Sequence, residues 1–159
     1  MKVNIICVGK VKEEFFRDAI DEYAKRLSRY VKLEITEVPD EKTPDGASDA
    51  LNAGILKTEG ERILSKIKEG DVVCTLEIKG KKFSSEELSQ WIEGQGIAGH
   101  SSICFIIGGS LGLSDEVSKR ADLKLSFSDM TFPHQLMRVI LLEQIYRAEK
   151  IISKEPYHK

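Results

Sequence analysis

Residues 101–117 read "SSICFIIGGSLGLSDEV". Within them an apolar, β-branched run turns through three glycines and then meets a serine followed by two acids. The run reads as a buried strand, since it is short, continuous and bounded by turn residues. Ser114 is placed as an N-cap, with Asp115 and Glu116 in the first turn of a helix whose dipole they complement. A strand that passes through a tight turn directly into a helix is the repeating unit of a parallel α/β sheet. This is the most apolar strand of the chain, so the sheet is expected to have it at its centre.

Other segments extend the pattern in both directions. "KVNIICV" (2–8) is a second buried strand, and "KLEITEV" (32–38) alternates as a half-buried one. Between them Phe15, Phe16, Ile20, Tyr23, Ala24 and Leu27 recur at helical spacing over 12–28. "PDEKTPDGASD" (39–49) carries two prolines and an Asp-Gly and reads as a loop. A helix is expected over 48–68, with Gly54 and Gly60 pointing to close packing or a break. A strand follows at 71–78, then a turn at "GKKF", a short helix over 84–93, the central strand, and a short helix over 114–120. "LKLSF" (123–127) is the last strand, and a helix covers 133–152. The prediction is one domain spanning 1–159: three layers, α/β/α, around a mostly parallel sheet of five to six strands.

Composition narrows the function. Hydrophobic residues make up 41% and charged residues 31% of 159, as in an ordinary soluble globular chain. The formal net charge of -2 supplies no global field for nucleic acid, so RNA binding would need a local patch. Arg138, Arg147, Lys150, Lys154 and Lys159 make the C-terminal end mildly basic. Cys7, Cys74 and Cys104 sit singly in apolar runs, without a CxxC, and read as buried thiols in a reducing compartment. The first apolar run is too short for a signal peptide or membrane span, so a cytoplasmic protein is expected. No metal-ligand spacing is present.

Four constellations could carry chemistry. The glycine turn 108–112 is neither a Walker loop nor a dinucleotide fingerprint. Glycine there would let backbone approach a ligand, or would simply make the turn. Asp115 and Glu116 would repel a phosphate at that helix end, whereas a neutral or cationic cofactor is tolerated. In "SFSDMTFPHQLMRV" (126–139), Pro133 suits a first helical turn. His134 and Arg138, four apart, share a face, and their spacing alone favours a solvated polar one. The last helix is apolar around most of its circumference, which asks for burial on two sides, the second by another subunit. On it Glu143 and Arg147 form an i,i+4 pair. The tail "EPYHK" is either a disordered end or a contact, Tyr157 offering a stacking face and His158 a titratable ring.

Taken in order, "IIGGSLGLS", "LSFSDMTFPHQLMRVILLEQIYRA" and "EPYHK" closely resemble the ribosomal RNA large subunit methyltransferase H family of the SPOUT superfamily. "VGK", "KTEGERIL" and "VVCTLEIKGK" extend the resemblance along the whole chain. It implies a C-terminal trefoil knot, which general topology rules would not suggest. It also implies a homodimer with the cofactor site near the subunit interface. The implied activity is methylation of N3 of a pseudouridine in 23S ribosomal RNA, on assembled ribosomes, with S-adenosylmethionine as methyl donor. The cofactor residues it implies are Leu76, Gly108, Phe127, Ser128, Asp129, Met130, Thr131 and Phe132. Arg147, Tyr157 and His158 are implied to lie near the target base, Arg147 stabilising an imide anion and His158 or water taking the proton. Two departures stand out: Leu111 where many members have an acid, and "MTFPHQ" where many read Leu-Thr-Leu-Pro-His-Pro. The rival readings are a ribosome-binding factor of the same fold that lacks catalysis, and a Rossmann-type oxidoreductase, which the missing early glycine fingerprint disfavours.

Overall fold

The computed structural model describes all residues, 1–159. Five strands, β1 (Lys2–Val8), β2 (Lys32–Val38), β3 (Val72–Lys82), β4 (Ser102–Ile107) and β5 (Leu123–Ser126), form one sheet in the order β2-β1-β4-β3-β5. Every pairing is parallel. The apolar run quoted first is β4, at the middle of the sheet, as its sequence demands.

Side chains alternate across the sheet and so fix the layers. Val3, Ile5 and Cys7 of β1 and Ile103, Phe105 and Ile107 of β4 face one side, where they meet α1 (Glu14–Leu27), α3 (Ser85–Ile97) and α5 (His134–Ile152). Ile6, Val8, Cys104 and Ile106 face the other, against α2 (Asp49–Leu64) and α4 (Asp115–Arg120). The three cysteines are buried and unpaired, and burial drives the Cys7 thiol up to about 12. No helix is long and apolar enough to cross a membrane.

Several boundaries differ from expectation, each for a local reason. β3 does not stop at residue 78. It continues through Gly80 and the two lysines, expected to be a turn, to Lys82. Leu76 and Lys81 both pair with Leu125, so the residues between them bulge out of the ladder. A Cβ on Gly80 would stand 2.7 Å from the Lys124 carbonyl oxygen, so this close passage of two backbones requires glycine there. α3 runs four residues past the expected end, through Gly94 and Gly96 to Ile97. A complete Ser84–Glu87 capping box and the buried Leu88 and Ile92 outweigh the two glycines. α2 ends at Leu64, not 68. Of its two glycines, Gly60 serves close packing, against Ser114 and Val117 of the α4 start, whereas Gly54 faces open space.

α5 is covered on one side by β4, α1 and α3, burying Leu141, Leu142, Ile145 and Ala148. Ile140, Ile151 and Ile152 remain half-buried. Arg138 corrects the expectation of a solvated face. It is 2% exposed, and its guanidinium donates to Glu37 Oε2 at 2.6 Å and to the Gly9 carbonyl at 3.2 Å. The tail is not a loose end either. Glu155 accepts from Tyr30 and Lys150 at 2.9 Å, and Tyr157 packs edge-on against Tyr146 with ring centres 4.9 Å apart.

Candidate active site

The carboxyl ends of β3, β4 and β5 converge on a cleft of about 310 Å³, where open parallel sheets place their ligands. β3 contributes Leu76, Glu77 and Ile78. The turn after β4 contributes Gly108–Gly112. The loop after β5 contributes Phe127, Ser128, Met130, Thr131 and Phe132, and α5 adds His134 and Met137.

The glycine turn is closed on itself. The Gly112 amide donates to the Gly109 carbonyl at 3.1 Å, and Gly112 has a φ of +84°. A Cβ on Gly108 would lie 2.5 Å from the Gly112 carbonyl oxygen, inside the turn's own backbone. One on Gly109 would lie 3.1 Å from Val8 and 3.2 Å from Glu59 Oε1. Glu59 is buried beneath the turn, accepts the Glu41 amide at 2.9 Å, and has its carboxyl raised above the ordinary range chiefly by that burial. At Gly108 and Gly109 the floor is therefore backbone with no room for side chains.

The 127–132 loop is set by its serines. Ser126 Oγ donates to the Ser128 carbonyl at 3.1 Å, and Ser128 Oγ accepts the Met130 amide at 3.0 Å. Pro133 ends the loop and serves as the N-cap position of α5.

Glu77 and His134 are the only ionisable side chains in the lining, and no lysine or arginine is among them. Glu77 is engaged on the α4 side, accepting from Thr75 Oγ1 at 2.6 Å and Ser118 Oγ at 2.9 Å. The His134 ring is held toward its neutral form by burial and by Arg138. Such a lining offers a phosphate no lysine or arginine and suits an uncharged or cationic ligand with an apolar body. Leu111 is one of its walls.

Seven of the eight residues singled out for a cofactor line this cleft. Asp129 does not: its side chain is 79% exposed and pairs with Lys82 at 2.5 Å. Glu77, Ile78, Leu111, His134 and Met137 also line it. In the sequence, Met137 carried only the signal of a core residue, and Glu77 only that of a strand end.

Arg147, Tyr157 and His158 are brought together, but none of them lines the cleft. Glu143 binds two of them, accepting from Arg147 Nη2 at 2.6 Å and from the Tyr157 hydroxyl at 3.1 Å. The Arg147 guanidinium stacks 4.8 Å from the Tyr157 ring centre. The Glu143 carboxylate holds Arg147 above its ordinary value, and burial, then Glu143, raises the Tyr157 phenol. His158 Nδ1 lies 3.2 Å from Arg147 Nη1 and Nε2 lies 2.7 Å from Glu86. A guanidinium can only donate, so Nδ1 accepts and Nε2–H points at Glu86. Both ring nitrogens are thus occupied.

Comparison with known proteins gives a consistent picture. The family model described as "Predicted SPOUT methyltransferase" matches residues 1–158. The chain is 59% identical, over the full length of both, to "Ribosomal RNA large subunit methyltransferase H 1" of Clostridium perfringens (strain SM101 / Type A). It is 60% identical, again over both full lengths, to "Ribosomal RNA large subunit methyltransferase H" of Bifidobacterium animalis subsp. lactis (strain AD011). Among solved structures, a probable methylase family protein from Haemophilus influenzae Rd KW20 matches with a TM-score of 0.53 over 99% of this chain and 70% of that one. At 12% identity that likeness speaks to the fold alone. With the family match running from end to end and three-fifths of its residues shared with full-length relatives, this chain belongs to the ribosomal RNA large subunit methyltransferase H family of the SPOUT methyltransferases.

Proposed function

We propose that this protein methylates N3 of a pseudouridine in 23S ribosomal RNA, using S-adenosylmethionine bound in the cleft at the ends of β3, β4 and β5. The observation that carries the reading is the lining of that cleft. It is apolar, floored by backbone, and free of lysine and arginine, a set that fits a sulfonium cofactor without phosphates. The names of the full-length relatives support the ribosomal substrate.

In this reading Leu76, Leu111, Phe127 and Phe132 would enclose the adenosine and exclude water, and the 108–112 backbone would offer it hydrogen bonds. S-adenosylmethionine supplies a methyl group on a positively charged sulfur. The chain's contribution is mostly positioning, since an in-line displacement needs little covalent help. The ring N3–H must be lost, and Arg147 is the group suited to stabilise the resulting anion. His158 has Nδ1 against Arg147 and its N–H on Glu86, so it can accept the proton only if this pair opens. Otherwise water takes it.

Because Arg147, Tyr157 and His158 lie outside the cleft of their own chain, the reading includes a homodimer in which a second copy brings its cluster to this cleft. The half-buried Ile140, Ile151 and Ile152 offer the apolar surface for it. A cytoplasmic location and the knotted C-terminal segment belong to the same reading.

The test is transfer of labelled methyl to ribosomes from a strain lacking the activity, with calorimetry against S-adenosylmethionine and NAD. Cofactor binding and methyl incorporation on 23S RNA are expected. Binding without transfer would leave a ribosome-binding factor. No heat with S-adenosylmethionine would refute the reading.

A further inference from the structure

A second cleft of about 480 Å³ opens beside the first, and His134 lines both. It lies past the carboxyl ends of β1 and β2, and six of its nine lining residues carry charged or polar side chains. Its walls are held from beneath. The buried Arg138 ties Glu37 at the end of β2 to the Gly9 carbonyl after β1, and it stands one turn along α5 from His134. The Nε of Arg138 has no acceptor, so its two terminal nitrogens do all the bonding of this buried cation. Holding that wall in place is the visible return for a costly burial.

The groups left free around the cleft are specific. Glu37 is taken by Arg138. Lys10 and Lys12 are exposed and pair with no carboxylate, and Asp40, whose carboxyl lies beside Gly9, makes no ion pair. Gln135 adds an amide that can donate or accept. Two free cations beside a free carboxylate and an amide suit one ligand that is both anionic and rich in N–H donors. A bare anion would be repelled by Asp40. A nucleotide meets both demands, with phosphates for the lysines and a base edge for the carboxylate and amide.

Position agrees with this. In a group transfer the acceptor must reach the donor from an adjoining site. A narrower cleft near Phe83 and Gln144 also touches the first one, through Leu125 and Phe127, but holds no cation. We propose that the cleft between Gly9, Asp40 and Gln135 is the acceptor-nucleotide subsite, with RNA phosphates on Lys10 and Lys12 and a ring N–H against Asp40. This inference rests on the methyltransferase reading above.

The experiment measures methyl transfer to ribosomes from a strain lacking the activity, against ribosome concentration and potassium chloride at fixed magnesium. Wild type, the double variant K10A/K12A and Asp40→Ala are compared, with calorimetry of S-adenosylmethionine on each. K10A/K12A is expected to raise KM for ribosomes about tenfold and to flatten the logarithmic salt dependence by about 1–2. Asp40→Ala is expected to raise KM without changing that slope, and cofactor affinity should be unchanged in both. Wild-type KM and salt slope in K10A/K12A would overturn the subsite. Tighter ribosome binding by Asp40→Ala would overturn the placing of the base. A wild-type protein that binds S-adenosylmethionine but transfers nothing would instead overturn the reading on which the subsite rests.

Discussion

Replacing Gly108 with alanine should weaken S-adenosylmethionine binding from inside the turn, without any new group entering the cleft. The added Cβ would stand 2.5 Å from the Gly112 carbonyl oxygen, 2.7 Å from its carbon and 3.0 Å from Leu113 Cδ2. Real Cβ contacts essentially never fall under 3.0 Å, so the carbonyl must retreat by half an ångström or more. Overpacking of this kind costs about 1–3 kcal/mol. Free protein relieves it by opening the Gly109–Gly112 closure, and binding must restore that closure. If the whole cost falls on the bound state, affinity drops by about 5- to 150-fold. Gly54→Ala is the control, since a Cβ there meets nothing within 4 Å on a helix interior. It should gain up to about 1 kcal/mol of stability and leave binding alone. Calorimetry with S-adenosylmethionine and thermal unfolding on the three proteins decide the matter. Wild-type affinity in Gly108→Ala, with the fold intact, would refute the argument that the turn's closed shape is what the cofactor needs.

A chain ending at Lys154 should fold and bind S-adenosylmethionine as before, yet lose most methyl transfer. It should also lose stability, the Tyr146–Tyr157 edge contact alone being worth about 0.5–1.5 kcal/mol. Full activity on ribosomes would remove Tyr157 and His158 from the reaction. Ile140→Asp, half-buried on α5, should yield monomers by sedimentation at micromolar protein, whereas Leu141→Asp should unfold the chain because Leu141 is fully enclosed in the core. A wild-type monomer would refute the dimer. Burial holds the Glu149 carboxyl above its ordinary value of 4.5. The folded state therefore keeps its proton longer than the unfolded chain, and stability falls as pH rises from about 4.5 through the raised value. Glu149→Gln should raise the melting temperature at neutral pH and have no such effect below about pH 4; an equal gain at both pH values would rule out titration as its cause.

The sheet was legible because its signals are local. A continuous β-branched run, a glycine turn and an N-cap serine with two acids lie within seventeen residues of one another, and they name β4, its turn and α4 without reference to anything distant. The cleft's outline was legible for a different reason. The motifs at Gly108 and Phe127–Phe132 resemble a family closely enough to carry its positions over, and the fold sets seven of the eight around one cavity. What the sequence could not disclose depends on contacts made across the chain. His134 and Arg138 share a helical spacing that favours a solvated face. Arg138 is buried because Glu37, 101 residues away, and the Gly9 carbonyl meet it at the sheet's edge. The residues around Gly80 look like a turn, and they are strand because Lys124 and Leu125 of β5 run against them closely enough to exclude a side chain. Tyr157 and His158 look like a loose end, and they are held by Glu143, Arg147 and Glu86 from two helices. Periodicity records which face of an element is apolar. The partner that a charge or a glycine meets is set by which elements lie side by side, and only the folded chain brings them there.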